Sequence, residues 1–380
     1  MRMTFVAALR DRSELSTFGN EVAVEPDFDF RSDEYCSLHS RSNATAFQAA
    51  LWLDTLYREV APAFEAEPVI VTVRAAHNGE LLLVLPLVRR RHHQVTFIEF
   101  ADFGVCDYLR PIYDPADQPL LTGDVTLPGR IAALLSCDIV LLTKVHDYDA
   151  LLDSLFPQAQ VRQMRLSAHP VRLSKDWDQW RSSALPPGFR RDLEIKRRRV
   201  AKRGDPVLTL VEDRREIVRV FEALREFRAQ RFGERKVNDI LENDALFSFY
   251  RTIAIRGVNS GLTRTYCLYL SGVPCGVAFG LLHRKAFHLL LLGFDVARYR
   301  RLSLGLLTIE DTLRATVEAG HSIYDFTIGD YPWKLQFGAA SLPMHEWVHA
   351  RSIRGQLSLF GTDVIRNVKR SLKTLVKKQA

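Results

Sequence analysis

Residues 287–334 read FHLLLLGFDVARYRRLSLGLLTIEDTLRATVEAGHSIYDFTIGDYPWK. The first run, Phe287 to Phe294, is almost wholly apolar and closes on Gly-Phe-Asp, the pattern of a strand buried on both faces. A short basic loop, Arg298 to Leu302, leads to Ser303 and Gly305, which open a helix running to Glu318. Leu306, Leu307, Ile309, Leu313 and Val317 form its apolar stripe. Gly320 falls where a left-handed C-cap is expected, and Ser322 to Ile328 reads as a second strand closed by Gly329-Asp330. Strand, basic loop, helix and strand suit a phosphorylated ligand, because free N–H groups and the positive end of the helix dipole converge at the helix start. Arg300 and Arg301 stand beside them, and the small Ser303 and side-chain-free Gly305 let a pyrophosphate approach the backbone.

The neighbours narrow the reading. Leu262 to Leu270, the turn Ser271-Gly272-Val273-Pro274, Cys275 to His283 and the turn Arg284-Lys285 place two more strands ahead of the buried one. Three antiparallel strands, a loop-helix and a further strand is the order of the GNAT acyltransferase fold. Arg300-x-x-Ser303-x-Gly305 resembles that superfamily's Arg/Gln-x-x-Gly-x-Gly/Ala pyrophosphate loop, with Ser at the first glycine. Asp325-Phe326-x-x-Gly329-Asp330-x-x-Trp333-Lys334 is similar to a signature of bacterial acyltransferases linked to cellulose and exopolysaccharide synthesis, distant relatives of the Fem peptidoglycan aminoacyltransferases. The resemblance covers most of residues 40–350. It implies an acyl-CoA co-substrate, no metal, and an acceptor among the amino or hydroxyl groups of sugars or polysaccharide precursors.

The first half repeats the same order. Asn43 caps a helix from Ala44 to about Val60, Asn78-Gly79 turns a hairpin between Val69–Ala76 and Leu81–Val88, and Val95 to Phe100 adds a third strand. A loop from Ala101 to Leu120, a short helix, and strands at 138–143 and about 160–167 follow. The expected architecture is therefore α+β, with two tandem GNAT-like domains, each a mostly antiparallel central sheet flanked by helices. Residues 1–170 form a degenerate copy, 171–355 the acyl-CoA-binding catalytic copy, and 356–380 a basic amphipathic C-terminal helix. The first copy carries no glycine loop; its Ala101–Tyr113 segment is acidic and aromatic, repels a pyrophosphate, and assigns Asp107 and Tyr108 to the acceptor or to structure.

Composition sets outer limits. The 380 residues are 47% hydrophobic and 26% charged, enough for two cores, and the net charge of +7 favours an anionic cofactor, membrane or nucleic acid. Five scattered cysteines without a CxxC pair suggest neither a disulfide framework nor a zinc site. They point to a reducing cytoplasm, as does the short start before Arg10. No apolar run approaches the roughly 20 residues of a membrane span. Two basic segments stand out. Phe189 to Arg203 reads as a helix able to face a cofactor, RNA or solvent. From Thr362 onward, Val364, Ile365, Val368, Leu372, Leu375 and Val376 share one helical face among lysines and arginines, which suits the inner membrane surface, a glycan synthase or the protein's own body.

Acyl transfer needs a phosphate grip, an oxyanion donor and a base. Arg300, Arg301 and the N–H groups of Leu302, Ser303, Leu304, Gly305 and Leu306 provide the first. The fold implied by the resemblance puts the second on Leu292, Gly293 or Phe294. Asp330, Asp295 and Asp325 end core strands and are the candidate bases, with Asp330 favoured because it follows a glycine. Tyr331 is the candidate acid, Lys334 pairs with Asp330 or holds an anionic acceptor, and Trp333 contacts substrate. Two other readings remain open: a Fem-like transferase using aminoacyl-tRNA, the one route by which nucleic acid enters, and a non-catalytic accessory of a membrane glycan synthase.

Overall fold

The computed structural model describes residues 19–235, 238–300 and 302–361. Arg301 and the basic segment 362–380 lie outside them. Among the described residues, strands β1 (Glu21–Val24), β2 (Glu67–Arg74), β3 (Leu81–His92), β4 (Val95–Phe100), β5 (Ile112–Tyr113), β6 (Ile139–His146), β7 (Gln160–Arg172), β8 (Pro206–Leu210), β9 (Thr263–Leu270), β10 (Val273–His283), β11 (Ala286–Phe294), β12 (Ile323–Ile328) and β13 (Leu342–Ala350) belong to one sheet. Its order is β1-β2-β3-β4-β6-β13-β7-β12-β11-β10-β9-β8, with β5 beside β3.

Read inward from either edge, that order is the same pattern twice. Four antiparallel strands (β1–β4, β8–β11) are followed by one strand added in parallel, β6 on β4 and β12 on β11. The last strands are then exchanged: β13 pairs with β6, β7 pairs with β12, and the two lie antiparallel at the centre. The exchange covers two edges that separate sheets would leave open. Both parallel strands also bulge near their ends, where Lys144 and Thr327 take left-handed backbone at φ 58° and 57°. The duplication expected from element order is thus present as a near-symmetric sheet.

The apolar core does not divide at the middle of the chain. One cluster joins Phe30 and Trp52 of the first half to Phe221, Phe279 and Leu291 of the second. The other packs Phe189, Leu193 and Tyr324 around the Leu304–Glu318 helix. That helix sits close on β10 because Gly276 has no side chain; a Cβ there would lie 2.4 Å from Thr308 Oγ1.

Local differences from the sequence reading have plain causes. Asp33–Arg41 is a helix capped by Ser32, an element ahead of the first helix expected from the sequence. The expected helix from Ala44 to Val60 is broken into a 3₁₀ turn, an α-helical turn and a π turn, starting with a capping box between Thr45 and Gln48. The basic helix, Pro187–Ala201, is docked rather than free: Arg197 reaches Glu310 at 2.8 Å and Asp311 at 2.5 Å, beside Arg181 of the preceding helix Trp177–Ala184, which also reaches Glu310 at 2.8 Å. Among the described residues no helix is long and apolar enough to cross a membrane.

Candidate active site

β11 and β12 pair over only three positions, Ala286 with Ile323, Phe287 with Tyr324 and His288 with Asp325. Beyond them the strands part. β12 bulges between Asp325 and Ile328 around the left-handed Thr327. β11 bulges against β10, where Gly280 faces Leu289 and Phe279 faces Leu291, so Leu290 has no register partner. Only glycine fits opposite that bulge, since a Cβ on Gly280 would lie 2.1 Å from the His288 carbonyl oxygen. The divergence opens a cleft of about 510 Å³, with Leu290, Leu292 and Phe294 on one wall and Thr327 and Ile328 on the other.

The helix Leu304–Glu318 starts at this cleft. Ser303 precedes it in the left-handed region (φ 54°) and its side chain makes no cap hydrogen bond. Ser303, Gly305 and Leu306 line the cleft, whereas Leu304 is buried in the core. The space at Gly305 has a different use from the one expected: a Cβ there would lie 2.5 Å from the Phe294 ring, so the ring fills the notch meant for a pyrophosphate. Arg300 stands at the mouth in an ion pair with Glu234. Arg231 lies over the Phe294 ring at 5.1 Å. Arg228 is committed elsewhere, gripping Asp239 and donating from Nη1 to the Leu292 carbonyl at 3.2 Å.

The carboxylates sort themselves by environment. Asp295 is buried and caps the short turn Val296–Tyr299, accepting from the Arg298 N–H at 2.8 Å; it does not line the cleft. Asp330 follows Gly329, whose φ of 109° turns the chain outward, and is exposed. It accepts a 3.0 Å hydrogen bond from His169. Partial burial pushes its pKa up, but the bonds from His169 and Ser167 outweigh this and hold it below the ordinary range. Asp325 is buried, accepting from Tyr108 Oη at 2.8 Å, from the Thr327 N–H at 2.8 Å and bonding His288 Nδ1 at 3.2 Å. Those bonds hold it ionised against the opposing effect of burial.

Asp107 is the carboxylate in the cleft, half-buried, and it comes from the first half of the chain. Burial pushes its pKa up to about 6, against the opposing pull of Lys144 and the Thr327 hydroxyl. Its neighbour Tyr108 turns away into the core, its pKa raised by burial and by Asp325. Lys144 Nζ ties the same loop down through Asp102 at 2.7 Å and the Cys106 carbonyl at 2.7 Å.

Lys334 lines the cleft floor but does not pair with Asp330. Its Nζ donates to the carbonyls of Phe326, Thr327 and Ile328 at 2.9, 3.2 and 2.9 Å, clamping the β12 bulge. Burial lowers its pKa to about 8. Tyr331 and Trp333 lie near-parallel at the rim, ring centroids 6.3 Å apart and planes at 22°, with Tyr331 52% exposed. The cleft thus gathers Arg300, Ser303, Gly305, Leu306, Leu292, Phe294, Asp107, Tyr331, Trp333 and Lys334. Asp330, Asp295, Tyr108, Gly293, Leu302 and Leu304 stand outside it; Gly293 packs against Leu224. Leu290, Thr327 and Arg231 were not foreseen, and Gly280 was the available signal for the first of them. Among the described residues no group of three His, Cys, Asp or Glu is placed to hold a metal ion.

A mixed sheet split between parallel strands, with a helix start and a carboxylate at the split, is the GNAT fold, and the protein is an acyltransferase. Residues 187–335 match the family model described as Acetyltransferase (GNAT) domain. No curated protein matches the chain. Among solved structures it is similar to FemX, with a TM-score of 0.56 and 12% identity over 86% of this chain and 96% of that one. It is also similar to L-PGS from Bacillus licheniformis, with a TM-score of 0.53 and 11% identity over 92% of this chain and 99% of that one. A conserved protein of unknown function from Bacteroides thetaiotaomicron gives a TM-score of 0.54 at 8% identity, over 86% and 99% of the two chains. At these identities the likeness is one of fold.

Proposed function

We propose that the protein moves an acyl group, acetyl in the simplest case, from an acyl-CoA thioester to an amino or hydroxyl group of a sugar or polysaccharide precursor. Transfer is direct, with Asp107 as general base. The observation that carries this is the Asp107 carboxyl, set in the cleft with its pKa raised to about 6. A base with a pKa near the working pH is mostly ionised yet still takes a proton. Acyl-CoA fits the cleft: the helix start at Ser303 has no side-chain cap, and Arg300 and Arg231 stand by it. When bound, the thioester supplies the activated acyl group. The β11 bulge at Leu290 supports a backbone N–H there as the oxyanion donor in this reading. Tyr331, which lines the cleft, protonates the departing thiolate, which leaves readily with a pKa near 8.5. The exposed Tyr331 ring, near-parallel to the half-buried Trp333 at the rim, suits the C–H face of a sugar.

A second reading keeps the fold and changes the donor to aminoacyl-tRNA, as in the Fem relatives. The likeness to FemX favours it, while the ion pairs that tie Arg197 to the neighbouring helix leave less of the basic helix for RNA. Thermal-shift titration separates the two. A melting temperature raised by acetyl-CoA and not by tRNA supports the first reading, and the reverse supports the second. Thiol release from acetyl-CoA in the presence of amino sugars, lowered at least about a hundredfold in Asp107→Asn, tests the base.

A further inference from the structure

Helical residues 353–361 follow β13 and are pinned to the body. Gly355 packs so tightly that a Cβ would lie 2.3 Å from the Asp138 carbonyl oxygen, and Arg351 donates to the Ala132 carbonyl at 2.9 Å. Held in that way, the helix turns Ile353, Leu357 and Phe360 outward, 76%, 68% and 72% exposed. Spacings of four and three residues put all three on one face. A contiguous exposed apolar stripe on a fixed helix marks a contact surface. A cavity of about 300 Å³ lined by Leu135, Leu155 and Phe156 opens beside it, sharing Gln158 and His349 with the groove under Phe360.

Residues 362–380 lie outside the described residues, and their sequence is rich in apolar residues, among them Val364, Val368, Leu372 and Leu375. It also carries Arg366, Lys369, Arg370, Lys373, Lys377 and Lys378 against the single acid Asp363. We infer that this edge docks on an anionic lipid bilayer, the apolar stripe of Ile353, Leu357 and Phe360 entering the interface. A second copy is the poorer occupant, because two such edges would bring like charges together. A lipid surface satisfies both the stripe and the charge. The inference is independent of the chemistry proposed for the cleft.

Co-sedimentation tests it on the full chain. Vesicles of phosphatidylcholine with phosphatidylglycerol should retain the protein, pure phosphatidylcholine vesicles should not, and added salt should release it. The triple variant I353S/L357S/F360S changes exposed positions only and should keep its melting temperature. Its retention should fall at least about tenfold, since each apolar side chain inserted contributes roughly that factor. Failure of the wild type to sediment with anionic vesicles overturns the inference, as does undiminished retention of the triple variant. A dimer in light scattering that the triple variant abolishes would assign the face to a second copy instead.

Discussion

The Tyr108 hydroxyl donates to an Asp325 carboxylate oxygen across 2.8 Å, joining residues 217 positions apart. The bond is buried and crosses from the loop of the first half to β12 of the second. Asp325 also holds the Thr327 N–H and His288, and the Tyr108 carbonyl accepts from Gln48 Nε2 at 3.0 Å. The Asp107 carboxylate carried by one half is in this way set against the cleft built by the other.

Tyr108→Phe removes that bond and leaves the backbone path intact. Losing one buried hydrogen bond to a charged acceptor should lower unfolding stability by about 1.5–3 kcal/mol, read by denaturant titration. With Asp107 less firmly held, kcat should fall about tenfold while the affinity for acyl-CoA stays as it was. Unchanged kcat would remove Tyr108 from any positioning role.

Asp107→Asn should lower kcat by roughly 10²–10⁴-fold with acyl-CoA binding retained. In the wild type, kcat/KM should rise with pH and level off above about 6, where the carboxyl is ionised. The sign for stability is opposite to the usual carboxylate case. The folded pKa is raised above the unfolded value of 3.8, so ionisation opposes folding, and this group's contribution declines as pH climbs from the unfolded value to about 6. The Asn variant should therefore melt higher than wild type at neutral pH, and the gain should vanish in acid.

Lys334 and Asp330 are four residues apart and should behave differently. Lys334→Met leaves three carbonyls without their donor around a left-handed residue and should cost at least about 3 kcal/mol, seen as a large drop in melting temperature. Asp330→Asn, at an exposed position, should change stability by no more than about 0.5 kcal/mol and leave turnover near wild type. A collapse of activity in Asp330→Asn with binding intact would return the base to that residue.

Gly305→Ala forces the Phe294 ring out of its notch. Overpacking of this kind costs about 1–3 kcal/mol, and the displaced ring should narrow the cleft and weaken acyl-CoA binding. Pairing it with Phe294→Leu should recover much of the loss, as calorimetric titration of both variants would register.

Much of the fold was legible because it is written in local terms. The apolar run at Phe287–Phe294, the helix stripe through Leu313 and the close of Ser322–Ile328 depend on periodicity and on residues near in sequence. The repeat of element order exposed the duplication, but not the exchange of β7 and β13, because either strand satisfies its own periodicity wherever it pairs. At the site, the basic loop and helix start were readable from Arg300, Ser303 and Gly305. The filling of the Gly305 notch by Phe294 was not, since contact between a strand and the following helix depends on how they pack.

By itself the sequence determined the succession of strands and helices and the place of the cleft's charged rim, since both arise from neighbours along the chain. Only the tertiary structure decided which carboxylate enters the cleft. Asp330 is swung outward by the backbone of Gly329, Lys334 turns in to the β12 carbonyls, and Asp107 arrives from about 200 residues away. Side-chain direction at a strand end follows from backbone rotation and long-range contacts, and residue identity alone encodes neither.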